Sequence, residues 1–158
     1  MKILLLILPL LLLANSSPTY AQQNNLTPEH EAWLKQQFSD QHQQLIPIVA
    51  VADMLFSCNL ERKIEPVIYK LNDLIVNMDK NRLAEKLIIC LGDDGMQSEI
   101  ALNFGLLGCF HEQLAHLPEA ERQQKEVLVK RAILSLSRSE RAKSFTQCVT
   151  EQAIHYLQ

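Results

Sequence analysis

The stretch Cys109-Phe110-His111-Glu112-Gln113-Leu114-Ala115-His116 is the one segment whose side chains could do metal or acid–base chemistry. A zinc-protease helix uses His-Glu-x-x-His, because residues four apart share a helical face and can grip one ion. His111 and His116 are five apart. At about 100° per residue their rings diverge by about 140° around a helix. A zinc site built from Cys109, His111 and His116 would also strand Cys148 without a partner. The spacing therefore argues against metal, and the sequence implies no cofactor. Only a metal protein or enzyme of unfamiliar design would use His111 and Glu112.

Other reactive arrangements are missing. There is no Cys-x-x-Cys, so thioredoxin-type redox chemistry and c-type haem attachment are excluded. There is no Gly-x-Ser-x-Gly elbow and no glycine-rich phosphate loop. Ser135, Ser137 and Ser139 read as turn and cap residues. The carboxylate pairs Glu119/Glu121 and Asp93/Asp94 sit in polar, turn-like stretches, where nothing raises a pKa as general-acid work requires. No catalytic residue is expected, and the chain reads as a non-enzyme.

The four cysteines carry a different message. Placing Cys58 over Cys109 brings Val49-Ala50-Val51 over Ile100-Ala101-Leu102 and Glu61 over Glu112. Placing Cys90 over Cys148 brings Asp79 over Ser137, Ala84 over Ala142 and Leu87 over Phe145. The register changes near Leu117-Pro118-Glu119-Ala120, where a turn would tolerate an insertion. An internal duplication is expected, with halves at 45–92 and 96–158. Of the three possible pairings, it favours one bridge per half, Cys58–Cys90 and Cys109–Cys148. Each would close a loop of roughly thirty to forty residues, worth about 3–4 kcal/mol of denatured-state entropy.

The elements that hold these bridges read as helices. Glycine is confined to Gly92, Gly95, Gly105 and Gly108, and no window alternates like a half-buried strand. Thr27-Pro28-Glu29 is a helix start: a threonine cap, proline at the first position and acid at the positive end of the dipole. Trp33, Leu34 and Phe38 share a face expected to pack on the body of the fold. The apolar run Leu45–Phe56 reads as a second, buried helix with Pro47 near its start. Each half is then three helices: one ending near Cys58 or Cys109, one after Pro66 or Pro118, and one capped by Asp79 or Ser137. Gly92 suits the end of a helix. Ala101, Gly105 and Gly108 form a stripe of small residues that lets another helix approach closely. The expected fold is an all-α compact bundle of about six to seven helices from two related three-helix halves, with two disulfides.

The N-terminus reads as a cleaved signal peptide over 1–21. Met1-Lys2 is a basic start, Ile3–Ala14 an apolar run short of the roughly 20 residues a span needs, and Thr19-Tyr20-Ala21 offers small residues at the cut. Residues 22–158 then form one helical domain in the periplasm or outside the cell, where disulfides persist. No later segment is expected to span or stably enter a membrane. The net charge of −3 does not suit nucleic acid, which rewards clustered lysine and arginine. The basic residues of Arg122–Lys143 are interrupted by Glu126 and Glu140, as on a solvated helix face.

The resulting expectation is a small exported protein-binding module, immunity- or inhibitor-like. The alternative is an envelope assembly adaptor or chaperone, with Met54, Met78 and Met96 as adaptable contacts. Asp93, Asp94, Glu119, Glu121 and Arg122 are the expected binding residues, because charged loops anchor recognition. The partner is expected to be another protein; the sequence sets no oligomeric state.

Overall fold

The computed structural model describes residues 27–157; the expected signal peptide over 1–21 and the polar tail to Leu26 lie outside the described residues. Five α-helices and one π turn follow in order: α1 Pro28–Arg62, the π turn Asp73–Asn77, α2 Lys80–Leu91, α3 Glu99–Gln113, α4 Glu119–Ser135 and α5 Arg138–His155. No strand occurs among the described residues, and the expected all-α bundle is what forms.

The caps are those the sequence signalled. Thr27 Oγ1 accepts from the His30 N–H at 3.3 Å. Asp79 accepts from the N–H groups of Asn81 and Arg82. Ser137 and Glu140 complete a reciprocal capping box. Gly92, with φ 61, ends α2 in a backbone conformation that glycine adopts without strain.

Two expectations fail and a third is met only in part, each for a physical reason. The two helices expected at 28 and 45 are one helix of 35 residues, with Pro47 in its interior. The ring removes one N–H, but Pro47 and Gln43 are both exposed. Water can therefore serve the carbonyl that the missing bond would have occupied. By length and composition α1 also reaches membrane-spanning character, against the expectation. Of its most apolar stretch, 44% is buried inside the bundle.

Second, the aromatic face of Trp33, Leu34 and Phe38 does not pack on the body. Every residue from 27 to 41 is exposed, with Trp33 at 56% and Phe38 at 47%. Packing starts at His42, whose Nε2–H donates to the Thr150 carbonyl at 2.9 Å. The arm reaches past the level at which other described elements can cover it.

Third, the helix expected after Pro66 starts late and is short: it covers residues 71–77 and ends in the π-helix Asp73–Asn77. Residues 63–70 form a loop that leads into the π turn. Glu65-Pro66-Val67-Ile68 combines proline with β-branched residues, which resist helix nucleation. The corresponding Pro118-Glu119-Ala120-Glu121-Arg122 is made of strong helix formers and opens α4.

α3 is the central helix and touches α1, α4 and α5, while α2 packs on α1. α3 and α5 run parallel: Arg141 donates to Asn103 near their starts, Cys109 joins Cys148, and Tyr156 donates to Glu112 near their ends. α4 is the return crossover between them. The bridges are Cys58–Cys90, tying α1 to α2, and Cys109–Cys148, with Cα–Cα distances of 6.2 and 6.3 Å. No cysteine is free.

The small-residue stripe serves two neighbours rather than one. A methyl added at Gly108 would overlap the backbone carbonyl of Asp53 on α1, and one at Gly105 would overlap the ring of Phe145 on α5. The stripe is filled from within the fold, so it is not a groove for a partner.

Reduction of the disulfides should lower the melting temperature sharply, because the closed loops span 32 and 39 residues and each is worth about 3–4 kcal/mol. Melting curves with and without reductant check this. Gly108→Ala should cost about 1–3 kcal/mol by overpacking α3 against α1, read from denaturant unfolding of the oxidised protein.

Candidate protein-binding surface

The last turns of α1 carry an apolar face with three joined hollows. The first, a cavity of about 400 Å³, lies among Phe56, Leu60, Leu107, His111, Glu126 and Val127. The second, about 260 Å³, adds Ile100, Phe104 and Leu134 and shares Glu61, Leu107 and Lys130 with the first. The third, about 290 Å³, shares Phe56 and Leu60 and is walled by Pro66, Val67, Ile68 and Tyr69.

The hollows exist because α4 is loosely seated. It packs on α3 but contributes only Ile133 to the buried core, and it leaves a gap to α1 that the Glu61–Lys130 ion pair crosses at 3.1 Å. On the other flank, the 63–70 loop is held in a fixed shape. Lys63, at φ 52, ends α1 and donates its N–H to the Asn59 carbonyl. The buried Asn59 side chain donates to the carbonyls of Glu65 and Val67 and accepts from the Glu65 N–H, at 3.2, 2.9 and 2.8 Å. Tyr69 and Lys86 both bond the Glu65 carboxylate, and they hold it below its ordinary pKa, Lys86 having the larger effect. The loop is thus rigid, yet Ile68 at its tip is 89% exposed. Ile68 thus stands in solvent beside apolar hollows.

The cleft also contains acid–base groups. His111 Nδ1–H donates to Glu126 at 2.7 Å, and the imidazole lies against the Phe56 ring at 4.6 Å between centroids. Ser57 lines the same cleft, but among the described hydrogen bonds its hydroxyl makes none to His111. A nucleophile and base must meet within hydrogen-bond reach. What is assembled is an oriented imidazole in an apolar hollow.

The other residues read from the sequence lie as follows. Glu112 turns away from His111 and accepts from Tyr156 on α5 at 3.2 Å. His116 is exposed in the turn after α3, and no cluster of metal-ligating side chains occurs among the described residues. Asp94 is tied to Arg62 at 2.7 Å, and Arg62 also donates to the Cys90 and Leu91 carbonyls, capping the end of α2. Asp93 is exposed. Glu119 pairs with Arg122 and accepts from Gln123, a wall of the first hollow; Glu121 faces solvent. The two charged loops therefore stand beside different hollows, Asp94 through Arg62 and Glu119 through Gln123. Sequence reasoning missed Leu60, Val67, Ile68, Glu126 and Lys130. The only available signal was a β-branched run broken by proline, a poor helix.

No protein family, characterised protein or solved structure matches the chain. Its function is therefore argued from the surface alone.

Behind this face lies a fully buried carboxyl, Asp53. Gln152 Nε2 donates to its Oδ1 at 3.1 Å, while Oδ2 has no partner. Burial pushes its pKa well above the carboxylate range, opposed by the Gln152 bond and reinforced by the Glu112 charge. The folded state thus keeps a proton that the unfolded chain releases near pH 3.8. Stability from this group is full below that pH and falls as pH rises toward the folded value. Asp53→Asn should flatten this slope in pH-dependent denaturation. Asp53→Ala should cost about 1–3 kcal/mol by stranding the Gln152 amide.

Proposed function

We propose that this protein is an exported, disulfide-stapled binding module that recognises another protein through the Phe56–Leu60–Ile68 face, in the manner of an immunity protein or inhibitor. The observation that carries this is the rigid 63–70 loop, which holds Ile68 in solvent beside three apolar hollows. Charged groups at the edge, Glu61, Lys130 and the Asp94–Arg62 pair, would set register without supplying most of the affinity. The two bridges stiffen the scaffold and lower the ordering cost of binding. They are also compatible with an oxidising compartment, and the basic-apolar-small pattern of residues 1–21 supports export to the periplasm.

One observation favours the adaptor reading. The arm of α1 offers a second apolar face, Trp33, Leu34 and Phe38, on the same chain. Two such faces can serve two partners. Met96 is exposed as well, whereas Met54 and Met78 pack against the core.

Ile68→Glu should leave thermal stability within about 0.5 kcal/mol of the parent while weakening capture of the main partner by about 2 kcal/mol or more. Quantitative pull-down from periplasmic extract, paired with Trp33→Ala, measures this. A single partner lost with Ile68→Glu alone supports the inhibitor-like module. Separate partners lost with each variant support the adaptor. Capture unchanged by Ile68→Glu removes this face from the function.

A further inference from the structure

The arm of α1 carries Trp33, Leu34 and Phe38 in solvent, and their ring partners are on the arm itself. His30 stacks on Trp33 at 5.7 Å between centroids, and His42 on Phe38 at 6.2 Å. A helix of about 12–15 residues is marginal in water without a partner. The arm therefore gains both helicity and apolar burial when another surface covers it. It is also acidic: Glu29, Glu31 and Asp40 outnumber Lys35. None of the three acids has a basic partner among the described residues.

A surface of the opposite character lies between α3, α4 and α5. A hollow of about 310 Å³ is walled by Leu106, Phe110, Leu128, Ala132 and Leu136, with Ser144 as its one polar side chain. It opens on the flank of α4 away from Val127, Lys130 and Leu134, which border the hollows described above. Leu128 is 56% exposed, and Lys125 and Arg131 stand one helical turn to either side of it. Lys143 precedes Ser144 on α5. These three bases are exposed and have no acidic partner among the described residues. The seven basic residues of Arg122–Lys143 meet only two acids within that stretch. Of these, Glu126 is held by His111 and Glu140 by the Ser137 cap. Glu121, one turn before Lys125, reduces the positive excess without cancelling it.

We infer that the arm of one copy of this chain docks on the α4–α5 hollow of a second copy. Its aromatic side chains cover the hollow, and its acids lie against Lys125, Arg131 and Lys143. Apolar shape and charge then agree across one contact. The arm cannot serve its own hollow: α1 is unbroken from Pro28 to Arg62, and α4 meets it at Glu61, about 35 Å along the helix from Phe38. Two arms are a poorer match for each other, because both carry the same excess charge. The contact is heterologous, so it closes when two copies exchange arms and otherwise adds further copies. It uses none of Phe56, Leu60 or Ile68, and so it stands apart from the function proposed for that face.

Sedimentation equilibrium on the oxidised protein recovered after export tests this. The apparent mass is expected to rise with concentration above that of one chain, and the association to weaken as salt is raised. Phe38→Glu and Leu128→Glu should each weaken it by roughly tenfold or more. Both positions are exposed, and melting curves establish that each variant folds. An equimolar mixture of the two variants should recover a weaker one-to-one complex, because the intact arm of the Leu128→Glu chain meets the intact hollow of the Phe38→Glu chain. Association lost with Phe38→Glu alone means arm against arm and overturns the assignment. A mass of one chain at every concentration leaves the arm to a different protein and overturns it equally, as does a mixture that recovers nothing.

Discussion

The contact on which the rest of this fold depends is the approach of α3 to α1 at Gly108. There the absence of a side chain lets one helix rest against the backbone carbonyl of Asp53 on the other. That closeness sets the depth at which α3 lies in the bundle. It places Phe56 against His111, seals Asp53 from water and brings the end of α1 across Phe104, where the Arg62 guanidinium sits 5.5 Å from the ring centroid. On the other side of α3, Gly105 admits the Phe145 ring and so seats α5. Two glycines thus let the central helix be gripped from both sides, and the two bridges hold the helices on either flank in that position.

Once α1, α3 and α5 are close-packed, little apolar surface remains to hold the connecting segments. α4 must return the chain from the end of α3 to the start of α5, and it buries only Ile133. The 63–70 segment cannot form a helix and is pinned instead by the Asn59 side chain and the Glu65–Tyr69–Lys86 cluster. Both connections leave apolar atoms facing solvent. Such surface lowers solubility unless something covers it, which is the physical basis for assigning recognition to this face.

Charge is distributed on the same plan. The buried Asp53 sits toward α5, where the half-buried Glu112 raises the pKa of both Asp53 and Tyr156. The pairs nearer solvent sit toward α4 and the α2–α3 turn, where solvent screening leaves each worth about 0–1 kcal/mol. The outer pairs contribute little to stability, whereas the buried Asp53 makes stability sensitive to pH.

Much of this architecture is legible in the residues alone, because local rules decide it. Thr27, Asp79 and Ser137 cap because their side chains reach the N–H groups that follow within one turn. Cysteine order in two similar segments indicated Cys58–Cys90 and Cys109–Cys148, one bridge in each segment. The lack of alternation indicated helices. Tertiary structure decided the remainder. Whether Pro47 breaks a helix depends on whether its face is wet. Whether Trp33 and Phe38 are covered depends on how far the neighbouring helices extend. Whether Ile68 is core or surface depends on the Asn59 bonds that hold its loop outward. Residues remote in sequence, such as Glu112 and Tyr156 or Asp53 and Gln152, meet only because α3 and α5 run parallel, and no spacing along the chain encodes that direction.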